Sequence, residues 1–373
     1  MQFFAPLVVL ACLATSALAD SVCSGPNTRA QPPAGAVVVD ATGAHPGSYK
    51  TVSEGVANVV NDTVEHTIFM FPGVYREQVI VPKFNGPVVL QGYTCNTESY
   101  ADNQVTITHS MAQKDLPANA TGSLNQIVST MLFKSKNGTK VYNLNIANPQ
   151  PKIKNLGQAP AVFVNGPNHG FYGCNMTGNQ AESSRFLVIE LYSHCVLLYS
   201  CDFYSGYQDT LCANKGPQLY AKSYINGAVD FIFGLQSKSW FESCDLESIG
   251  NGSITANGNT NSSNLSEYVI NNAHVFGHFN KSSAYLGRPW YPYARVVFQN
   301  SELGDVINPK GWNKWNKDNN TANVYFKEFN NRGPGATTGQ RVSFSGQLKA
   351  AVPISDILGE DYKSEWYVDT KFL

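Results

Sequence analysis

Two aspartates, Asp209 and Asp230, lie 21 residues apart at one phase of a recurring pattern, each ten residues after an aromatic anchor, Tyr199 and Tyr220. If that pattern marks one turn of a stacked parallel β structure, adjacent strands are about 4.8 Å apart and the two carboxyls sit one above the other. Two carboxylates that close cannot both ionise freely, so one keeps its proton and an acid stands beside a base or nucleophile. Ester hydrolysis requires that division of labour. Aspartate in β proteins more often caps a turn. Here, however, Gln208-Asp209-Thr210-Leu211 and Val229-Asp230-Phe231-Ile232-Phe233 embed both acids in apolar, strand-like surroundings, where an unpaired carboxylate is costly.

The elements that must hold such a pair are legible as a repeat. An apolar or aromatic residue, then small or polar residues, then another apolar residue recur from Tyr142-Asn143-Leu144 through Tyr172-Gly173-Cys174, Tyr199-Ser200-Cys201, Tyr220-Ala221-Lys222, Phe241-Glu242-Ser243 and Ile270-Asn271-Asn272 to Phe298-Gln299-Asn300. The steps are 30, 27, 21, 21, 29 and 28 residues, the period of a solenoid that winds one turn per repeat. Strand-like alternation broken by Gly and Asn makes the turns β rather than helical. The expected fold is all-β, a parallel β-helix, with an evenly spaced β-sandwich as the alternative. Residues 53–60 carry apolar side chains at helical spacing and are expected to cap the open end. The last fifty or so residues, around Arg332-Gly333-Pro334-Gly335, are expected to fold back over the coils, because no linker sets them apart.

Twenty-six basic against 27 acidic residues leave no positive field for nucleic acid or a membrane surface. An apolar stretch over residues 3–18, ending in Ala17-Leu18-Ala19, reads as a signal peptide cleaved after Ala19, so the expected protein is secreted and extracellular. The remainder, 20–373, reads as one catalytic domain. Asn-x-Ser/Thr triplets at Asn61, Asn119, Asn137, Asn175, Asn251, Asn264 and Asn280 are glycan acceptors expected on exposed loops. Seven cysteines follow the cleavage point, an odd number, so at least one thiol is free, buried or paired with another chain. The seven histidines show no metal-ligand spacing and read as surface or loop residues, and no Gly-x-Ser-x-Gly elbow is present. No cofactor or metal is expected.

The segments Gly206-Tyr207-Gln208-Asp209-Thr210-Leu211, Gly227-Ala228-Val229-Asp230-Phe231-Ile232-Phe233-Gly234 and Tyr285-Leu286-Gly287-Arg288-Pro289-Trp290 resemble, in order, the three signature motifs of pectin methylesterases. Further similarity lies in Gly73-Val74-Tyr75-Arg76-Glu77, Ile254-Thr255-Ala256-Asn257-Gly258 and Gly311-Trp312, and the wording is nearest the fungal branch. The resemblance implies a right-handed parallel β-helix that hydrolyses galacturonate methyl esters in pectin, releasing methanol. It implies Asp230 as nucleophile, Asp209 as acid and then base, Arg288 holding Asp230 ionised and oriented, and Gln208 donating to the oxyanion. Trp290 would offer a flat face to a sugar ring, with Tyr207 and Phe231 also lining the substrate. Expected partners are pectin and proteinaceous pectinesterase inhibitors, and the expected state is a monomer.

One departure stands out. The family's further oxyanion glutamine matches Gln158 in Gln158-Ala159-Pro160-Ala161, but Gln158 lies 50 residues before Gln208 where the family spacing is about 22. An insertion at about 175–201 holds a near-duplicate of the following repeat. If it is a full coil, Gln158 is displaced one layer and Gln180 becomes a rival; if it is an extruded loop, which the unpatterned run Phe186-Leu187-Val188-Ile189 favours, Gln158 keeps its place. A lyase or glycosidase on the same fold lacks its motifs here. A pectin-binding wall protein whose catalysis the insertion has disrupted stays open as the alternative.

Overall fold

Short runs of Val, Ile, Phe and Tyr suit a pleated, half-buried surface, and they form strands that stack in parallel register into a β-helix. The computed structural model describes residues 23–150, 157–178, 208–316 and 321–373. Each coil presents three faces. The first carries, among others, Met131–Phe133, Val162–Asn165, the start of Leu211–Ala221, Ile232–Gly234, Gly252–Asn257 and Ala284–Gly287. The second runs from Val37–Val39 through His66–Met70 and Tyr325–Phe329 to Ser345–Gln347, and the third is an eight-stranded sheet from Gly73–Arg76 to Glu302–Leu303.

The interior is a set of ladders. Val141, Phe171, Tyr220, Phe241, Ile270 and Phe298 are register partners on the second face, and all are buried. Phe171 and Tyr220 stack at 5.1 Å, and Tyr220 and Phe241 at 4.7 Å, each pair within 9° of parallel. The repeat anchors therefore need one correction. Tyr172 pairs with Ala221, not Tyr220, so Tyr142 and Tyr172 belong to the outward column next to the interior one. A slip of one residue moves a side chain to the opposite face of a strand.

Between the second and third faces every coil from Asn143 onward turns on one left-handed residue: Asn143, Gly173, Lys222, Ser243, Asn272, Asn300 and Asn330, with φ between 45° and 56°. Asn and Gly reach that conformation most readily, which is why the repeat is rich in Asn. Small residues follow inside the corner, and there Cys174 and Cys244 lie buried as free thiols. Ser223 stands between their coils, since Tyr224 pairs with both Asn175 and Asp245. Two strand spacings, about 9.6 Å, are too far for a disulfide. Cys23 and Cys95 form a disulfide, Cys212 is a third buried free thiol, and Cys195 and Cys201 lie outside the described residues.

The coil ending at Gly178 stacks directly on the coil beginning at Gln208. Val162–Val164 pair with Leu211–Ala213, His169–Tyr172 with Gln218–Ala221, and Asn175–Thr177 with Tyr224–Asn226. A full coil between them would break all three ladders. The strand Asn175–Gly178, assigned above to the insertion, belongs to the regular coil; residues 179–207, including Gln180 and Tyr207, lie outside the described residues. Asn175 thus sits within a strand paired on both sides rather than on a loop. Asn264 is also committed, its amide donating to the Leu235 carbonyl at 2.8 Å and its Oδ1 accepting from the Ser266 N–H.

The helix Val52–Ala57 starts on a capping box between Thr51 and Glu54 and packs Gly55 against Val39 and Ile68, as expected of a cap over the interior. The C-terminal segment folds back along the second face. Gln299 holds Val352 on one of the last coils, while Tyr172 donates to the Tyr367 carbonyl and Trp366 Nε1 to Glu65 much nearer the start. Ile357, Leu358, Tyr367, Val368 and Phe372 bury the outward side chains Tyr142, Tyr172, Leu219, Trp240, Val269 and Val297. His169 corrects the reading of the histidines as surface groups. It is wholly buried, 2.7 Å from Thr139 Oγ1, and burial pushes its pKa down to about 3, so it stays neutral.

Candidate active site

Asp209 and Asp230 occupy the turn by which the chain enters the first face. Gln208 bridges to Val229 and Leu211 pairs with Ile232, so the two aspartates are register partners on adjacent coils, about 4.8 Å apart along the stack. The Asp209 N–H donates to the Val229 carbonyl at 3.1 Å and the Asp230 N–H to the Ser253 carbonyl at 2.6 Å. Both have left-handed backbones, φ 73° and 52°. For a residue with a Cβ this costs on the order of 1 kcal/mol or more, and such strain gathers at functional sites. The turn also needs Gly227, where a Cβ would lie 2.2 Å from that of Phe231.

The partners of the two acids differ. Arg288, whose backbone N–H is held by the Thr255 carbonyl, grips Asp230 with both arms of its guanidinium: Nε to Oδ1 at 2.8 Å and Nη2 to Oδ2 at 2.6 Å. The guanidinium also lies over the Trp315 ring, 4.2 Å from its centre. Asp209 has no such clamp; the amide side chains of Gln208 and Asn125 are the uncharged neighbours that favour its carboxylate. Burial and the neighbouring Asp230 charge hold Asp209 well above the usual carboxylate range, against the influence of those amides and of the more distant Arg288. Burial raises Asp230 too, but there the Arg288 hydrogen bonds and charge offset part of the rise. The proton shared by the pair therefore resides on Asp209 and the negative charge on Asp230.

Both acids open into one cleft of about 70 Å³, lined by Gln158, Gln208, Asp209, Asp230, Phe233, Ala256, Trp290 and Trp315. Gln158 thus lies beside the aspartates, as the direct stacking of its coil requires. Trp290, its N–H held by the Asn257 carbonyl, stacks with Trp315 at 6.3 Å and leans on Phe233, giving the cleft an aromatic wall. Beneath it Leu132, Phe163, Cys212, Phe233 and Ala256 form a small apolar cluster.

Of the residues singled out in the sequence, Gln158, Gln208, Asp209, Asp230, Arg288 and Trp290 meet here, and Tyr207 lies outside the described residues. Phe231 must be reassigned. It is fully buried in the main core, because the left-handed turn at Asp230 breaks strand alternation and sends Phe231 inward beside Ile232. Phe233, two residues on, faces the cleft instead. Sequence reasoning missed Trp315. Trp312 attracts attention in the Gly311-Trp312 pair, yet it is wholly buried against Phe326, and Trp315 is the one that reaches the site.

A pectinesterase family model matches residues 174–355, a span that holds Asp209, Asp230, Arg288 and Trp290. A pectinesterase of Aspergillus aculeatus is 39% identical over 98% of this chain and its own full length. One of Aspergillus niger is 38% identical over 93% of this chain and 94% of its own. Among solved structures, the deglycosylated pectin methylesterase of Aspergillus niger superposes with a TM-score of 0.76 at 32% identity, covering 92% of this chain and all of that one. The carrot pectin methylesterase superposes with a TM-score of 0.70 at 26% identity, over 89% of this chain and 96% of that one.

Proposed function

The chain belongs to the pectinesterase family, and from that premise we propose that it hydrolyses galacturonate methyl esters with Asp230 as nucleophile and Asp209 as acid and then base. The observation that carries the assignment is the unequal partnering of two stacked acids. Arg288 grips Asp230 bidentately, so it is the carboxylate of the pair, and Asp209, without a cation against it, is the proton store.

An Asp230 oxygen attacks the ester carbonyl carbon, and the π electrons move onto the carbonyl oxygen. Side-chain amides of Gln158 and Gln208, which both line the cleft, are the donors available to that oxyanion. Collapse breaks the bond to the methoxy oxygen, which takes the Asp209 proton and leaves as methanol, with the acyl group on Asp230 as a mixed anhydride. Asp209, now a carboxylate, takes a proton from water whose oxygen attacks the acyl carbon. The acyl bond to Asp230 breaks, its electrons return to the carboxylate under Arg288, and Asp209 is again protonated. Ester and water have become acid and methanol. The aromatic wall of Trp290 and Trp315 supports stacking of a galacturonate ring against it. The apolar segment over residues 3–18 supports secretion as the route to such a polymer.

Methanol released from methyl-esterified polygalacturonate tests the assignment. Asp230→Asn, nearly isosteric but a poor nucleophile, should lower kcat by about three orders of magnitude or more. A folded, secreted variant that keeps more than about a tenth of the rate removes Asp230 from the role.

A further inference from the structure

Thr210 follows Asp209 directly, is buried, and joins more of the molecule than a turn residue must. Its carbonyl accepts from two backbone N–H groups of the preceding coil, Ala161 at 2.9 Å and Val162 at 3.1 Å, three and four residues after Gln158. Its hydroxyl donates to the Asn226 carbonyl at 2.7 Å. From Asp209 the chain runs through Leu211–Ala221 and Tyr224–Gly227 before it reaches Asp230. The hydroxyl bond therefore fastens the start of that circuit to its end, four residues short of the second acid. Two glycines make the room for it: a Cβ on Gly178 would lie 2.2 Å from Thr210 Oγ1, and one on Gly227 2.9 Å from it.

Gln158, Asp209 and Asp230 thus come from three successive coils that meet at one buried residue. At that corner both acids are left-handed, and only Gln208 and Val229 bridge the coils before Leu211 pairs with Ile232, so the Thr210 hydroxyl is a side-chain tie where the ladder is thin. We propose that Thr210 is a positioning residue for the reaction: its hydroxyl sets the distance between the two carboxyls, and its carbonyl keeps the coil of Gln158 in step with them. The proposal rests on Asp209 being the acid and base and Asp230 the nucleophile; it needs no ligand and adds no covalent step. Among the described residues, the titratable or charged groups around Asp209 are Asp230 and Arg288 on the coils beyond it and Cys212 on its own strand, a thiol pushed far above its ordinary range by burial and by Asp209. Asp230 is the one whose approach Thr210 fastens. The first proton leaves Asp230 while Asp209 is neutral and does not feel that distance; the second leaves Asp209 against the Asp230 charge and does.

The test is methanol release from methyl-esterified polygalacturonate across pH with Thr210→Val, Thr210→Ala and Thr210→Ser. Thr210→Val keeps the shape and loses the hydroxyl, leaving the Asn226 carbonyl without its donor. Thr210→Ala lacks the same hydroxyl and is smaller, and it carries the same expectation if Thr210→Val does not fold. Both should lower kcat at least about tenfold, because misplacing a reacting group by about 1 Å costs on the order of a hundredfold. As the acids loosen, the Asp230 charge acts more weakly on Asp209, so the alkaline limb of kcat/KM should move to lower pH while the acid limb stays in place. Thr210→Ser keeps the donor and should stay within about threefold of wild type with both limbs unmoved. A lower melting temperature with an unmoved alkaline limb, an effect confined to KM, or Thr210→Ser as impaired as Thr210→Val would overturn the proposal. Asp209→Asn separates it from its premise. If that variant keeps the alkaline limb, Asp209 is not the acid; if it loses the limb while Thr210→Val leaves it in place, the positioning role alone falls.

Discussion

Left-handed backbone recurs in two columns of this solenoid, and the columns use it differently. At the corner between the second and third faces it recurs coil after coil, and the side chains there close hydrogen bonds among themselves: Asn272 to Glu242, Asn300 to Asn271, Asn330 to Asn300. At the entrance to the first face it occurs in two adjacent coils, at Asp209 and Asp230, and the side chains there repel one another inside a cleft. One local conformation thus serves as a mechanical turn where its polar groups are mutually satisfied and as a chemical device where they are kept in conflict. What separates the columns is the side-chain chemistry stacked on the turn.

The strongest way to break that comparison is to give both columns the same residue. Gly keeps a left-handed turn without strain, so Asn272→Gly should leave methanol release within about twofold, whereas Asp230→Gly should lose about three orders of magnitude. Comparable losses in the two would mean that the backbone, rather than the carboxylate, is what matters.

Next in size is the oxyanion arm. Gln158→Ala should cost about 10²–10³ in kcat if direct stacking of the coils puts Gln158 in the site. A loss below about threefold would leave Gln208 as the only side-chain donor among the two proposed.

Arg288→Lys sharpens the electrostatic half. A lysine cannot reproduce the two-armed grip, so Asp230 loses part of what holds it down, and the acid limb of the pH–rate profile should move up with roughly a tenfold fall in rate. An unmoved acid limb would detach that limb from Asp230.

A smaller effect concerns stability. Asp209 is raised in the folded state, so above about pH 4 the unfolded chain releases a proton that the native protein retains, and stability falls as pH rises from there through the folded value. Asp209→Asn removes that penalty and should melt about 1–3 °C above wild type at neutral pH, the gap closing as pH falls to about 4. Asp230→Asn leaves Arg288 unpaired and should melt lower. The smallest effect belongs to the corner. Lys222, with φ 45°, suits it least, and Lys222→Gly should gain about 0.5–1 kcal/mol, less what is lost from its contact over Phe372, with activity unchanged.

The repeat was readable because a solenoid writes its geometry as a period. The 21-residue step from Asp209 to Asp230 is one coil, and their register pairing follows from it. Periodicity stopped helping wherever a residue departs from it. Phe231 is adjacent to Asp230 in sequence, but a left-handed residue resets the alternation after it and Phe231 is buried in the core. Tyr172 was matched to Tyr220 by residue type, whereas the ladder matches it to Ala221. Trp315 enters the cleft from a segment between strands, whose path obeys no repeat, and it has no neighbour whose spacing announces it.

Twenty-nine residues, 179–207, separate Gly178 from Gln208, yet the coils on either side touch as if nothing intervened. Position along this molecule is measured in storeys, and Gly178 and Gln208 stand on adjoining ones. A change in the length of that stretch of chain alters how far apart Gln158 and Asp209 stand in the sequence without altering the floor on which either one lives. The address of a functional group here is the coil and face it occupies, not its distance along the chain.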